Sequence, residues 1–535
     1  MLFLSRLLLL SFFLLSNTFS HPDIHSILPA FEKSIQSSMQ KWEAPGVAVV
    51  IVKDGQILYE KTFGILETGK NKTINEHTIF PIASLTKTFL ATLIAQLVDE
   101  GKLKWDDLVI KYLPDFNLSD PEVAKIITIR DLISHRTGLK AFSSDPIWYN
   151  GGNQNEIIKS LSKQNFKKPF RTAYAYQNHL FGVASLIVEK ATGQTINDLF
   201  TKRFFEPLGM KDSSVGLKAV EQNKSWFTAI KEFFGLCVPR NVSTPHYTID
   251  DKVVSVPISL QMYVFEGSTG INTSINDMSK WLLFQLNNCA VNGKQLVSKE
   301  NCAELRKSHI AATNLKFDDL QFPGSRIRNV HYGMGWFLYE YGIDEKKINV
   351  IGHMGGFSGV RGLTFLIPEQ NLGVAILSNF GSMRVSLMPE ALRSTFLDLY
   401  LDLPKHDWDQ ELTETMASIR AGNKQLMIDE RQQDPRPRKD LKSYEGEFEN
   451  QQYGKIKVTL KGDKLWLSYR SREILLNHWN GDEFNFAGND LSPAYSGTDE
   501  GHIEFGFQKS RQKADVCVVN LMYENQEDLF KRVEK

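Results

Sequence analysis

The stretch Phe89-Leu90-Ala91-Thr92-Leu93-Ile94-Ala95-Gln96-Leu97-Val98 constrains this chain more than any other, because it is apolar nearly all round at helical spacing. It belongs to a helix expected over Leu85–Glu100 that stops at Gly101, the residue type best suited to the left-handed conformation that closes a helix. A helix without a polar face has no solvent side. It has to run through the middle of a domain, with the remaining elements enclosing it. With 535 residues the chain exceeds what one hydrophobic core usually organises, so a large domain around this helix and at least one further module are expected.

Ahead of that helix, Ile27–Trp42 has helical spacing, and Gly46–Val52 is a short apolar run ending at the turn Asp54-Gly55. Gln56–Phe63 is its return strand, so the chain opens helix, strand, strand. Helices are expected again at Ile129–Ser134 and His179–Thr192, while Asn223–Pro257 has no clean period and is read as a lid or wall over a site. Four strands follow at Gly335–Tyr341, Lys347–His353, Gly359–Ile367 and Gly373–Asn379, separated by glycine- and proline-containing turns. Strands at both ends with helices between predict an α+β domain whose antiparallel sheet is completed by the two ends of the domain. Trp408–Arg431 is a polar helical stretch, and Asp434-Pro435-Arg436-Pro437-Arg438 is a stiff connector. Eight short alternating segments between Tyr444 and Val533 then carry the signature of a small β-barrel or sandwich. The expected division is a leader at 1–20, a main domain at 21–402, a helical and proline-rich linker at 403–440 and a β module at 441–535.

Acidic and basic residues number 62 each, with no long run of either sign, which argues against nucleic-acid binding and for a small molecule or peptide as partner. Near the start, Arg6 precedes the apolar run Leu7–Leu15 and the small-residue stretch Thr18-Phe19-Ser20, the pattern of a leader for export to the periplasm or the extracellular side. The run is shorter than the ~20 apolar residues that span a bilayer, so no stable membrane span is expected. Cys237, Cys289, Cys302 and Cys517 are too few for a disulfide scaffold. Cys289 and Cys302 flank Asn292-Gly293 and are read either as one surface disulfide or as reduced, buried small hydrophobes.

Ser-x-x-Lys is the informative chemical motif, and it occurs at Ser38, Ser84, Ser160 and Ser510. Only Ser84 follows a loop marked by Pro81 and opens the apolar helix, which puts its hydroxyl at a helix N-terminus. Residues three apart share a helix face, so Lys87 stands beside it. A serine alcohol is a poor nucleophile until a base takes its proton, and a lysine serves only when burial lowers its pKa. As an isolated motif, Ser84 as a helix cap with a solvated Lys87 is the commoner outcome. Two further elements weigh against it here. Tyr176-Gln177-Asn178 lies just before a helix, where the phenol can relay protons and Asn178 can bind a substrate amide. His353-Met354-Gly355-Gly356 ends a predicted strand, where Gly355 and Gly356 let a substrate backbone lie against the sheet edge and leave an N–H for a developing oxyanion. His331-Tyr332-Gly333 has the same letters and is read as a turn, and Tyr523-Glu524-Asn525 as a decoy.

These three elements, in this order, resemble the serine β-lactamase and penicillin-binding-protein superfamily in its class C-related branch, over about Ile27–Leu401. Ala44-Pro45-Gly46-Val47-Ala48, Trp105-Asp106-Asp107 and the run Ile129 to Leu139 carry the resemblance further. It implies Ser84 as acylated nucleophile, Lys87 and Tyr176 as proton-transfer pair, Asn178 as substrate contact, and an oxyanion hole from the N–H groups of Ser84 and Gly356. It implies an α+β sandwich with a helical lobe and no cofactor or metal. The module from Leu441 resembles the lipocalin-like barrel appended to some of these hydrolases, on Tyr444-Glu445-Gly446 and its strand rhythm. The superfamily's β-lactamases carry a lysine where His353 stands. A site with no permanent cation there is expected to prefer esters, amides or D-amino-acid peptides over β-lactams, with weak protonation of His353 below about pH 6.5. The alternatives are a penicillin- or peptide-binding relative with little turnover and a class C β-lactamase.

Overall fold

The computed structural model describes residues 22–217, 220, 241–249, 252–312, 326–381, 386–418, 436–487, 500–508, 512–520 and 527–533. The leader, most of the expected lid at Asn223–Pro257, the second half of the Trp408–Arg431 helix and Tyr523-Glu524-Asn525 lie outside them.

Helix α1 (Ile24–Trp42) leads into strands β1 (Gly46–Lys53) and β2 (Gln56–Gly64). Asp54 and Gly55 between them both have positive φ, 50° and 79°, as a tight hairpin of right-handed twist demands. The other end of the domain returns as β3 (Ile310–Ala311), β4 (Ile327–Tyr332), β5 (Phe337–Ile343), β6 (Lys346–Phe357), β7 (Val360–Ile367) and β8 (Leu372–Ser378). They form one eight-stranded antiparallel sheet in the order β3-β4-β5-β6-β7-β8-β1-β2, so β8 pairs with β1 from Val47↔Ser378 to Lys53↔Leu372. This is the expected closure by both ends. His331 and Tyr332 are not a turn: they end β4, and Tyr332 pairs with Phe337. Their period was broken by the glycines at 333 and 335, which make the hairpin loop instead.

Strand β1 sorts its side chains by alternation. Ala48, Val50 and Val52 face the helical lobe, while Val47, Val49 and Ile51 face α1 and the last helix of the domain, Met388–Tyr400, where Phe31 meets Phe396 edge to face at 5.2 Å. The central helix, α2, spans Thr86–Asp99, preceded by a 3₁₀ turn at Ala83–Leu85. Phe89, Leu90, Leu93, Ile94 and Leu97 on it are fully buried, each contributing about 1.5–3 kcal/mol by leaving water. Thr88 and Thr92 are tolerated there because their hydroxyls donate to the carbonyls of Leu85 and Thr88. Phe89 stacks on Trp281, with centroids 3.6 Å apart. Cys289 and Cys302 are joined, and the bridge is buried in this lobe rather than exposed.

Beyond residue 440, eight antiparallel strands between Gly446 and Arg532 close into a barrel in sequence order, with the first pairing the last at Phe448↔Arg532. Its interior is filled by side chains such as Tyr444, Phe448, Tyr469, Phe484 and Phe505. The same buried cluster continues into Ile147, Trp148 and Ile157 of the main domain, so barrel and domain share a core. Gln452 Nε2 and Tyr453 Oη both donate to Ser143 O, at 2.8 and 3.2 Å.

Candidate active site

Ser84 sits in the 3₁₀ turn rather than in the first turn of α2, and Ala83 before it has φ of 45°, a left-handed conformation that an alanine adopts only at a cost. The turn presents Ser84 with 8% of its surface exposed, while Lys87 behind it has none, so a substrate reaches the hydroxyl and not the amine. Lys87 Nζ lies 2.9 Å from Ser84 Oγ, 2.9 Å from Asn178 Oδ1 and 3.3 Å from Ser268 O. Burial drives the lysine pKa well below its ordinary range, opposed in part by the negative charge of Asp145. A neutral amine there donates two N–H bonds to Asn178 and Ser268 and turns its lone pair to the Ser84 hydroxyl. All its groups are satisfied in the basic state.

Asn178 is the first residue of helix α3 (Asn178–Thr192), and its Nδ2 donates to Asp145 Oδ2 at 3.0 Å. Tyr176 lines the same cleft, with its ring centroid 5.1 Å from Lys87 Nζ. Its ring packs on His135, 4.3 Å away, whose Nδ1 accepts from Gln177 N and so fixes the Tyr-Gln-Asn backbone. Ser84, Tyr176, Asn178, His353 and Gly356 therefore converge on one cleft. The other Ser-x-x-Lys copies do not reach it. Lys41 pairs with Asp407 in solvent, the Ser160 hydroxyl is tied to Ser144 and Ile157 O, and Ser510 lies outside the described residues.

The cleft sits where the sheet frays. Pairing of β5 with β6 ends at Phe337↔Gly352, so His353–Phe357 of β6 are held by β7 alone and present an open edge beside Ser84. Gly355 does not make room for substrate. A Cβ there would stand 2.2 Å from Ile82 O and 3.1 Å from Leu85 N, so the glycine admits the chain's own nucleophile turn against the sheet. Gly356 lines the cleft and faces Arg361 instead.

His353 is buried, and both its nitrogens are engaged. Nδ1 donates to Met354 O at 2.6 Å, since a carbonyl can only accept, which leaves Nε2 to accept from Tyr332 Oη at 3.2 Å. Burial, helped by the Lys87 charge, lowers its pKa to about 3. The protonation expected near pH 6.5 is thereby moved down towards about 3 in the folded protein. Nor is the cleft without a permanent cation, because Arg361 lines it. The guanidinium is already paired with the buried carboxylate of Glu390.

Sequence reading missed Asp145, Tyr332 and Arg361, together with the aromatic wall of Phe142, Trp148, Tyr149, Phe337 and Phe357. Phe357 directly follows Gly356, and Phe337 and Arg361 lie in two of the predicted strands, but a strand's period does not show which of its residues reaches the cleft; Asp145 and Trp148 stand in no predicted element.

A buried serine–lysine pair with a tyrosine and an asparagine converging on it, in a cleft at a sheet end, is the layout of a serine-type hydrolase. The chain belongs to the beta-lactamase family, whose model matches residues 31–393. A domain of unknown function (DUF3471) matches residues 430–529. The Unguisins hydrolase ungD of Aspergillus violaceofuscus (strain CBS 115571) is 24% identical over 74% of this chain and 69% of its own length. Protein flp of Staphylococcus aureus (strain N315) is 25% identical over 69% of this chain and 66% of its own. The chain thus spans about two thirds of the length of these curated relatives. Among solved structures, the octameric penicillin-binding protein homologue from Pyrococcus abyssi superposes with a TM-score of 0.57 at 21% identity, over 94% of this chain and 99% of that one. A class C beta lactamase from Rhodobacter sphaeroides gives 0.52 at 17% identity, over 69% and 97%.

Proposed function

We propose that the protein is an exported serine hydrolase that cleaves esters, amides or D-amino-acid peptides through an acyl-enzyme on Ser84, preferring substrates without a free carboxylate. The observation that carries this is the fully buried Lys87 amine, its pKa lowered, 2.9 Å from the Ser84 hydroxyl. In the first step the Ser84 O–H proton passes to Lys87 Nζ while Oγ attacks the substrate carbonyl. The N–H groups of Ser84 and Gly356 receive the oxyanion. Collapse expels the alcohol or amine, which takes its proton from the Lys87–Tyr176 pair, and water then attacks the ester by the same route in reverse. The aromatic wall favours an apolar acyl group, and the neutral His353 has no donor left for a carboxylate.

Export is supported by the leader pattern and by the Cys289–Cys302 bridge, since such bonds persist in oxidising compartments. We assign 21–402 as the hydrolase domain, 403–440 as linker and 441–535 as the barrel domain.

Arg361 favours a second reading, a carboxylate-bearing substrate such as a β-lactam, but Glu390 already neutralises it. The ratio of ester to β-lactam turnover separates the two. For the reading as a whole, a fluorophosphonate probe should label Ser84, and Ser84→Ala should lose labelling and about 10³-fold or more of ester turnover. Labelling of a different serine, or a fully active Ser84→Ala, refutes it.

A further inference from the structure

Asp145 opens a short helix, Asp145–Tyr149, at the wall of the cleft, and it is 1% exposed. It is not itself among the residues lining the cleft. Its Oδ2 accepts from Asn178 Nδ2 at 3.0 Å, and Asn178 Oδ1 accepts from Lys87 Nζ at 2.9 Å, so a single amide bridges a buried carboxylate and a buried amine. An ionised carboxylate can only accept, which forces the NH₂ of Asn178 towards Asp145 and its oxygen towards Lys87. The opposite amide orientation leaves two acceptors facing each other in a dry site, at the cost of an unmet buried group.

We propose that Asp145 is a positioning residue, whose buried carboxylate locks the Asn178 amide and through it sets where the Lys87 amine points and how readily it gives up its proton. This rests on the reading of Ser84 and Lys87 given above. The groups facing Lys87 are Ser84 in the 3₁₀ turn ahead of its helix, Asn178 and His179 on α3, the Ser268 carbonyl, Tyr176, His135 and His353. Burial lowers the pKa of all three histidines, so they are neutral near pH 7. Among the described residues, Asp145 is the one acid acting on Lys87. Burial raises the Asp145 pKa to about 7, opposed by its bond from Asn178, the Lys87 charge and the Tyr149 hydroxyl.

The barrel holds this arrangement from behind. Ser143, two residues ahead of Asp145, receives both Gln452 and Tyr453 on its carbonyl, and Trp148 within the short helix lies in the shared core.

The test is the rate of fluorophosphonate labelling of Ser84 in the full chain, followed from about pH 5 to about pH 9. Asp145→Asn keeps the shape and removes the charge. The ammonium of Lys87 loses its stabilising neighbour, and the acid-side midpoint of the rate should move down by about one unit or more. Asp145→Ala also removes the acceptor and should lower the plateau rate by roughly tenfold to a hundredfold. Tyr149→Phe removes a hydroxyl that favours the ionised acid, and should move the midpoint the same way by less. A residue that only supported the fold would change stability and leave the midpoint in place. An unmoved midpoint in Asp145→Asn and Tyr149→Phe, with Ser84 still labelled, overturns this inference alone. Absence of labelling at Ser84 in the wild type overturns the hydrolase reading and this one with it.

Discussion

Gly355→Ala isolates one contact on which the whole site depends. A Cβ at 355 would stand 2.2 Å from Ile82 O, and contacts under 3.0 Å essentially do not occur, so strand or turn must move by about 0.8 Å. The obstacle is backbone and cannot rotate away. The strand is held on its other side by the Gly355↔Gly362 pair of the sheet, whereas the 3₁₀ turn is short and already holds Ala83 at a positive φ. The turn should therefore yield, carrying Ser84 with it. Overpacking of this kind costs about 1–3 kcal/mol of stability, and displacing a reacting atom by ~1 Å costs on the order of 10²-fold in rate. Gly356→Ala is the comparison, because its Cβ would meet a side chain and not backbone, Arg361 Nη1 at 2.6 Å and Cδ at 3.3 Å. Thermal unfolding and Ser84 labelling measured on both variants decide the matter. If Gly355→Ala labels at the wild-type rate, the turn does not rest on the strand as described.

Two further outcomes follow from the packing around the site. His179 and His353 are held near about 3 by burial, against about 6.5 when unfolded, so the unfolded chain binds more protons between those values and stability should fall as pH drops from about 6.5 towards about 3. His179→Leu should flatten part of that slope in melting curves, and an unchanged slope would show that His179 does not stay neutral. Replacing Gln452 with Ala and Tyr453 with Phe leaves the Ser143 carbonyl without either barrel donor, which should cost about 1–3 kcal/mol and slow acylation of Ser84. Lost stability with full labelling speed would mean that the barrel supports the fold but not the site.

What the sequence determined is whatever the backbone repeats locally. The run Phe89–Val98, apolar but for Thr92 and Gln96, could only be an interior helix, and Ser84 and Lys87 meet because three residues bring a chain round to one face in a 3₁₀ or an α turn alike. The hairpin at Asp54-Gly55 and the eight-strand rhythm after residue 440 were legible for the same reason, as periods and turn residues are short-range properties. The tertiary structure alone decided the rest. Asp145 carries no motif and Tyr332 stood in a triplet read as a turn, and they reach the site only because a helix start and a strand end pack there. His353 was chosen by its place in a pattern, but its charge is set by how much water the fold removes from around it and by Lys87 next to it, and neither is written in the neighbouring letters. The role of Gly355 was misread on the same ground: the sequence shows that a side chain is missing, and only the packed sheet shows that the nucleophile's own turn occupies the space.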